Sequence, residues 1–260
     1  MNGEAPKKYA LVIPAYNEAS TIGDLVQDVL QYIDTVFVVD DGSVDATAER
    51  LTRLPVTLIR HECNLGKATS LWEGMQAALA LGAEGILTMD GDGQHDPAEI
   101  PRLLDAARRH PDMLVIGSRL WNVDIIPKAR YRANRFANFW IAWASGQAVE
   151  DSQSGFRVYP AQLLRSCHIP LRPQGGFVFE SEIIIEAAWR GFPCLFVPIG
   201  TVYPKNARPS HFRPIADIAR ITRMVAGRLL SRGLFLQGLW RSLTLSPRYT
   251  DPLPHGQKTS

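Results

Sequence analysis

Short apolar runs alternate with amphipathic stretches through the first half of the chain. Residues 9–13, 36–39, 56–60, 86–89 and 113–117 are Val/Ile/Leu-rich, bounded by turn residues, and read as buried strands. The stretches between them read as helices. One runs from Thr21 to about Gln31, with Asp24 as an imperfect capping box. A second covers residues 46–53, capped by Ser43 or Asp45. A third opens at Asn64-Leu65-Gly66-Lys67 and reaches about Leu81, and a fourth starts at Pro97, a favoured first-turn residue. Strand and helix alternating at this spacing predict parallel strands joined by crossover helices, with ligands at the carboxyl ends of the strands.

After Gly117 the pattern changes. Residues 128–145 read as a helix that mixes Tyr131, Phe136, Phe139, Trp140 and Trp143 with Arg130, Arg132 and Arg135. Such a helix suits an interface, or a core helix with a solvated basic face. Asp151 through Arg157 reads as a turn with one carboxylate. A helix near residues 179–190 carries Glu180, Glu182 and Glu186, and residues 194–197 form a last strand. Residues 201–214 are Pro-rich and basic, residues 215–240 read as one long helix, and the chain after Pro247 reads as a disordered tail. The expected organisation is a catalytic domain over residues 1–212, an amphipathic helical segment over 213–246 and a tail over 247–260.

Charge adds one asymmetry. The net charge is only +2, but residues 201–248 hold nine Lys/Arg against the single Asp217. That balance suits a phosphate-rich or membrane-surface partner. No recognised nucleic-acid module accompanies it, so nucleic acid is not an expected partner. No run reaches the ~18 apolar residues of a spanning helix, and no apolar leader precedes the first strand. The cysteines Cys63, Cys167 and Cys194 form neither a disulfide framework nor a zinc spacing, which points to a reducing compartment and a cytoplasmic location.

Three of the strands end in acidic or polar clusters: Tyr16/Glu18, Asp40/Asp41 and Asp90/Asp92. In Asp90-Gly91-Asp92-Gly93-Gln94 two carboxylates two residues apart can face one hard cation, and the same residues can also make a polar turn. An EF-hand loop is excluded, because its glycine position is His95 and its last glutamate position is Pro101. Acidic clusters gathered at one edge would repel each other unless a cation or ligand donors offset them. Neither G-x-x-x-x-G-K-[ST] nor an early G-x-G-x-x-G is present, and Asn64–Lys67 is only a partial anion loop.

The motifs Val12-Ile13-Pro14-Ala15-Tyr16-Asn17-Glu18, Val38-Val39-Asp40-Asp41-Gly42-Ser43, Asn64-Leu65-Gly66-Lys67, Met89-Asp90-Gly91-Asp92-Gly93-Gln94-His95, Gly117-Ser118-Arg119 and Asp151 through Arg157 together resemble a family 2 glycosyltransferase of GT-A fold. The nearest likeness is to the polyprenol-phosphate, dolichol-phosphate mannose synthase-like branch. The resemblance implies a Rossmann-like, mostly parallel sheet flanked by helices, and an inverting transfer of a hexose from a nucleotide-diphosphate sugar to a polyprenyl phosphate. It implies that Pro14, Tyr16, Glu18 and Asp40 line the nucleoside pocket and that Asp90 sits by the ribose or the metal. Asp92 and Gln94 would hold Mg²⁺ or Mn²⁺, and Arg119 would contact phosphate.

The branch's basic loop, Arg-x-x-Gly-x-Ser-Lys, is matched by residues 205–211 with Lys205 and His211 at its ends. Arg119, Arg130, Lys205 and His211 would position an anionic acceptor. A hydroxyl acceptor would instead need a carboxylate base, Asp151 first and Glu180 second. A nucleotidylyltransferase and a silent nucleotide-sugar-binding module are the other-class alternatives. The first lacks its glycine-rich basic loop here, and the second would have lost the Asp-x-Asp pair. Peripheral association with the cytoplasmic membrane face is expected through residues 128–143 and 215–240.

Overall fold

The computed structural model describes residues 8–120, 128–167, 169, 176–200 and 214–250. Seven strands, β1 (Tyr9–Ala15), β2 (Val36–Asp40), β3 (Thr57–Arg60), β4 (Gly85–Thr88), β5 (Leu114–Ser118), β6 (Arg157–Pro160) and β7 (Cys194–Pro198), form one sheet in the order β3-β2-β1-β4-β6-β5-β7. All neighbours are parallel except β6, which runs antiparallel to both β4 and β5.

The strand period of two sorts the core onto both faces. Ala10, Val12, Phe37, Val39, Ile86, Ile116 and Phe196 face one cluster. There they meet α3 (Lys67–Ala80), α5 (Lys128–Ser145), α7 (Gly176–Trp189) and α8 (Pro214–Leu230) through residues such as Met75, Ile141, Ile184 and Val225. Leu11, Ile13, Val38, Leu87, Val115 and Val197 face the other cluster, against α1 (Ile22–Val29), α2 (Thr47–Leu51) and α4 (Ile100–Arg109). Both faces are covered, so the strands read as continuous apolar runs. The short helix α6 (Ala161–Ser166) follows β6 directly.

Four expectations are corrected. The first strand does not stop at Pro14; it pairs through Pro14 to Ala15, opposite Val39 and Asp40. Thr21 does not cap α1 with its side chain; its hydroxyl donates to Gly91 O at 3.0 Å and so ties α1 to the loop after β4. The long C-terminal helix is two helices, α8 and α9 (Leu236–Thr244), separated by a turn in which Gly233, Leu234 and Phe235 all have positive φ. Left-handed backbone costs roughly 1–2 kcal/mol per non-glycine residue. Packing offsets it, because Trp143 Nε1 donates to Leu234 O at 2.9 Å and the Phe235 ring lies against Gly146 and Gly238. Finally, residues 248–250 are not a free tail. Phe196 N donates to Arg248 O (2.8 Å) and Thr250 N to Phe196 O (3.2 Å), along the outer edge of β7.

The reversal of β6 matters most for the site. A strand entering antiparallel begins at the edge where its parallel neighbours end. The turn at residues 151–156 is therefore brought beside the ends of β4 and β5.

Candidate active site

The carboxyl ends of β1, β2, β4 and β5, with the turn before β6, carry Tyr16, Glu18, Asp40, Asp41, Asp90, Asp92, Arg119 and Asp151. Asp40 is fully buried. Its Oδ1 accepts from Ser43 N at 2.9 Å, which folds the turn after β2 back on itself. Arg60 Nε lies 3.2 Å from Oδ2, near enough to pair charges, yet that oxygen has no hydrogen bond. Glu18 is buried beside the same turn, its backbone N–H donating to Thr47 Oγ1 at 2.8 Å. Asn17 has φ 56°, and the turn is closed by Asn17 N to Ser43 Oγ and Val44 N to Asn17 Oδ1. Pro14 and Tyr16 are half-buried at the end of β1. A depression next to this turn is lined by Gly42, Ser43, Val44, Arg60, His61 and Glu62.

The repulsion expected between the acidic clusters is met by cations built into the fold. Lys67 Nζ lies 2.6 Å from Asp90 Oδ1 and 2.8 Å from Glu180 Oε1. Burial alone would lower the lysine's pKa, but the two carboxylates raise it above the ordinary value. Burial would likewise raise Asp90, and Lys67 and His95 instead hold it well below the usual carboxylate range. Glu180 is buried and its Oε2 has no hydrogen-bond partner.

Arg119 and Asp151 form the second pair. Arg119 Nε is 3.1 Å from Oδ2, Nη2 is 3.3 Å from Oδ1, and the Arg119 backbone N–H also donates to Oδ2 at 3.2 Å. Asp151 is fully buried; burial would raise its pKa, but the guanidinium lowers it below the ordinary value. An acid held low is a weak base. This geometry therefore fits Asp151 to orienting Arg119, and the base role that a hydroxyl acceptor would ask of it is poorly served.

Two glycines and one arginine make the arrangement possible. A Cβ at Gly155 would lie 2.7–2.9 Å from the Asp90 carboxylate, and one at Gly91 3.1 Å from Pro14 O. Arg157 is completely buried and donates to three carbonyls, Ser154 O (2.6 Å), Glu180 O (2.7 Å) and Ser152 O (2.8 Å). It knots the turn before β6 to α7. Asp92 and Gln94 lie half-buried at the edge, with Gln94 N donating to Asp92 Oδ1 at 3.0 Å.

Arg130 falls in the first turn of α5. Lys205 and His211 lie outside the described residues. Sequence reasoning missed Lys67 as a site residue. The signal was there: a lysine at the first position of a helix opposes the helix dipole, so its place at the start of α3, after a glycine cap, asks for another reason.

A mostly parallel α/β sheet with acidic residues at its carboxyl edge is the architecture of the GT-A fold. Comparison with known proteins gives the family. The profile described as "Glycosyl transferase family 2" matches residues 10–167, and the chain belongs to that family. It is 30% identical over 220 residues to a UDP-N-acetylglucosamine–dolichyl-phosphate N-acetylglucosaminyltransferase of Methanococcus voltae, covering 76% of this chain and 87% of the relative. It is 30% identical over 200 residues to a polyprenol monophosphomannose synthase of Mycolicibacterium smegmatis, covering 73% and 75%. Among solved structures, glucosyl-3-phosphoglycerate synthase of Mycobacterium tuberculosis, in complex with Mn²⁺, UDP-glucose and glycerol 3-phosphate, superposes with a TM-score of 0.60. That match is at 22% identity and covers 87% of this chain and 80% of the other. At that identity the likeness shows the fold.

Proposed function

We propose that this chain is an inverting, metal-dependent glycosyltransferase that moves a hexose from a nucleotide-diphosphate sugar to a polyprenyl phosphate, on the cytoplasmic face of a membrane. The observation that carries the reading is the acidic edge around Asp90 and Asp92, set in a family 2 fold whose relatives include polyprenyl-phosphate transferases.

The residues present fit a divalent ion. The donors at the edge are hard oxygens from Asp92 and Gln94, while Lys67 already engages Asp90 Oδ1. Among the described residues no group of three or more His, Cys, Asp and Glu surrounds a point suited to a metal. Asp92 and Gln94 would be the protein's contribution to holding such a cation. Bound there, it stabilises the charge that develops on the departing nucleoside diphosphate.

The rest is done by the chain. Asp40, at the end of β2 with Arg60 beside it, is the carboxylate assigned to the nucleoside pocket. Pro14, Tyr16 and Glu18 wall that pocket. Arg119, fixed by Asp151 and part-exposed, offers a cation to phosphate. Arg130, Lys205 and His211 are assigned to the acceptor. An acceptor phosphate is already anionic and needs no strong base, which agrees with Asp151 being closed and held low. Residues 1–212 carry this chemistry, and 213–246 with α5 supply the membrane contact. In support of that contact, Leu236, Trp240 and Leu243 form an apolar stripe on α9, 69%, 63% and 68% exposed, with Phe136 of α5 also exposed. No described helix is long and apolar enough to cross a membrane.

The test is a transfer screen with Mn²⁺ or Mg²⁺, a panel of UDP- and GDP-sugars, and short polyprenyl phosphate. Sugar transfer to the lipid phosphate is the expected result. Donor turnover with hydroxyl acceptors only would overturn the acceptor assignment.

A further inference from the structure

His61 stands at the end of β3, outside the cluster just described, and both of its ring nitrogens face carboxylates. Nδ1 is 2.8 Å from Asp41 Oδ1 and Nε2 is 2.8 Å from Glu73 Oε2. A carboxylate can only accept, so both nitrogens donate and the ring is an imidazolium. The side chain is 6% exposed.

The same Asp41 carboxylate holds the next turn of chain. Leu65 N donates to its Oδ1 and Gly66 N to its Oδ2, both at 2.8 Å. The residue after Gly66 is Lys67, which reaches Asp90 and Glu180. The turn also lies directly on the loop after β2: His61 N donates to Asp40 O at 2.9 Å, and a Cβ at Gly42 would lie 2.5 Å from the Cys63 carbonyl carbon. One clip thus joins the loop of Asp40, the turn at residues 61–66 and the first two turns of α3.

We propose that His61 is a positioning residue of the donor site: its imidazolium, clipped between Asp41 and Glu73, fixes the turn that presents Lys67 to Asp90 and Glu180, so that donor affinity falls when that proton leaves. The inference rests on the donor-site reading above. The charged groups around the ring are Asp41 and the Asp40–Arg60 pair from β2 and β3, Glu62 next in the chain, and Glu73 from α3. Burial alone would lower the pKa of His61, but Asp41 and Glu73 raise it above the ordinary histidine value. A neutral ring can donate to only one carboxylate, which leaves the clip half-made.

The test measures UDP and GDP binding with Mn²⁺ by calorimetry from about pH 6 to about pH 9, for wild type, His61→Gln and Glu73→Gln. Glu73 is half-exposed on α3, so its variant should keep the fold. Wild type should bind with steady affinity at low pH and lose about fivefold above the His61 titration, the worth of one hydrogen bond. His61→Gln should bind more weakly with no such break. Glu73→Gln should flatten the break, because its carboxamide can accept from the imidazolium and donate to the neutral ring, so the clip holds on both sides of the titration. A wild type that binds neither nucleotide overturns the donor-site reading and this inference together. A wild type that binds, with a pH profile shared by His61→Gln or by Glu73→Gln, overturns the role of His61 alone.

Discussion

Gly155 stands where any side chain would strike Asp90: a Cβ there would lie 2.7 Å from one carboxylate oxygen and 2.8 Å from the other. The glycine is kept for space. Gly155→Ala should force the Asp90 carboxylate away from Lys67, weaken donor binding several-fold and cost about 1–3 kcal/mol of stability through overpacking. Donor KM and urea unfolding together check this; an alanine variant with wild-type values for both would mean that Asp90 moves freely.

On the proposed reading, Asp92 holds the cation. Asp92→Asn should reduce metal-dependent transfer by about a hundredfold or more, since losing a few kcal/mol of charge stabilisation translates directly into rate. Mn²⁺ binding in the presence of nucleoside diphosphate should fall in parallel. Retained binding would move the metal site elsewhere.

Arg157 is completely buried and supplies three hydrogen bonds to carbonyls. Arg157→Met removes the donors and leaves three buried carbonyls, at a cost of about 3 kcal/mol or more. Denaturant unfolding measures it. Because the carbonyls belong to Ser152, Ser154 and Glu180, the residual activity of the folded fraction should fall as well.

The Arg119–Asp151 pair predicts the acid limb of stability. Asp151 titrates below its unfolded value of about 3.9, with burial opposing the shift and Arg119 driving it. Its contribution is therefore fully present above about pH 4 and is lost as pH falls through the lower folded-state pKa. Asp151→Asn should be less stable than wild type at neutral pH, and the gap should narrow toward about pH 2. Thermal unfolding across that range would show it; a gap independent of pH would count against the ion pair.

The stripe of Leu236, Trp240 and Leu243 predicts binding to anionic vesicles that weakens with salt, as basic residues near a charged surface require. Trp240→Ala together with Leu243→Ser should reduce vesicle co-sedimentation severalfold without altering turnover of a short, soluble acceptor. Unchanged sedimentation would assign the stripe to another partner.

Much of the acidic edge was legible because its signals are local. Apolar runs that end in Asp40-Asp41 and Asp90-Gly91-Asp92 announce both a parallel strand and the edge where it stops. What could not be read depends on distant contacts. Arg157-Val158-Tyr159-Pro160 begins with a charge and ends with proline, so nothing in it marks a strand; it becomes one because it fits between β4 and β5. Leu234 and Phe235 carry no turn signature, and their left-handed backbone is set by Trp143 and Gly146, far away in sequence, together with the nearby Gly238. Lys67 looked like part of a weak anion loop because its partners, Asp90 and Glu180, come from two other elements.

The reversal of β6 has a consequence for how such a protein can change. The chain leaves the sheet at Ser118 and returns at Arg157, which pairs with Ile116 on the strand it has just left. Everything between is an excursion whose two ends are stapled to adjacent rungs. Its middle can be rewritten so long as Arg119, Asp151 and Gly155, near its two ends, keep their places. One scaffold can thus trade recipients while keeping its currency.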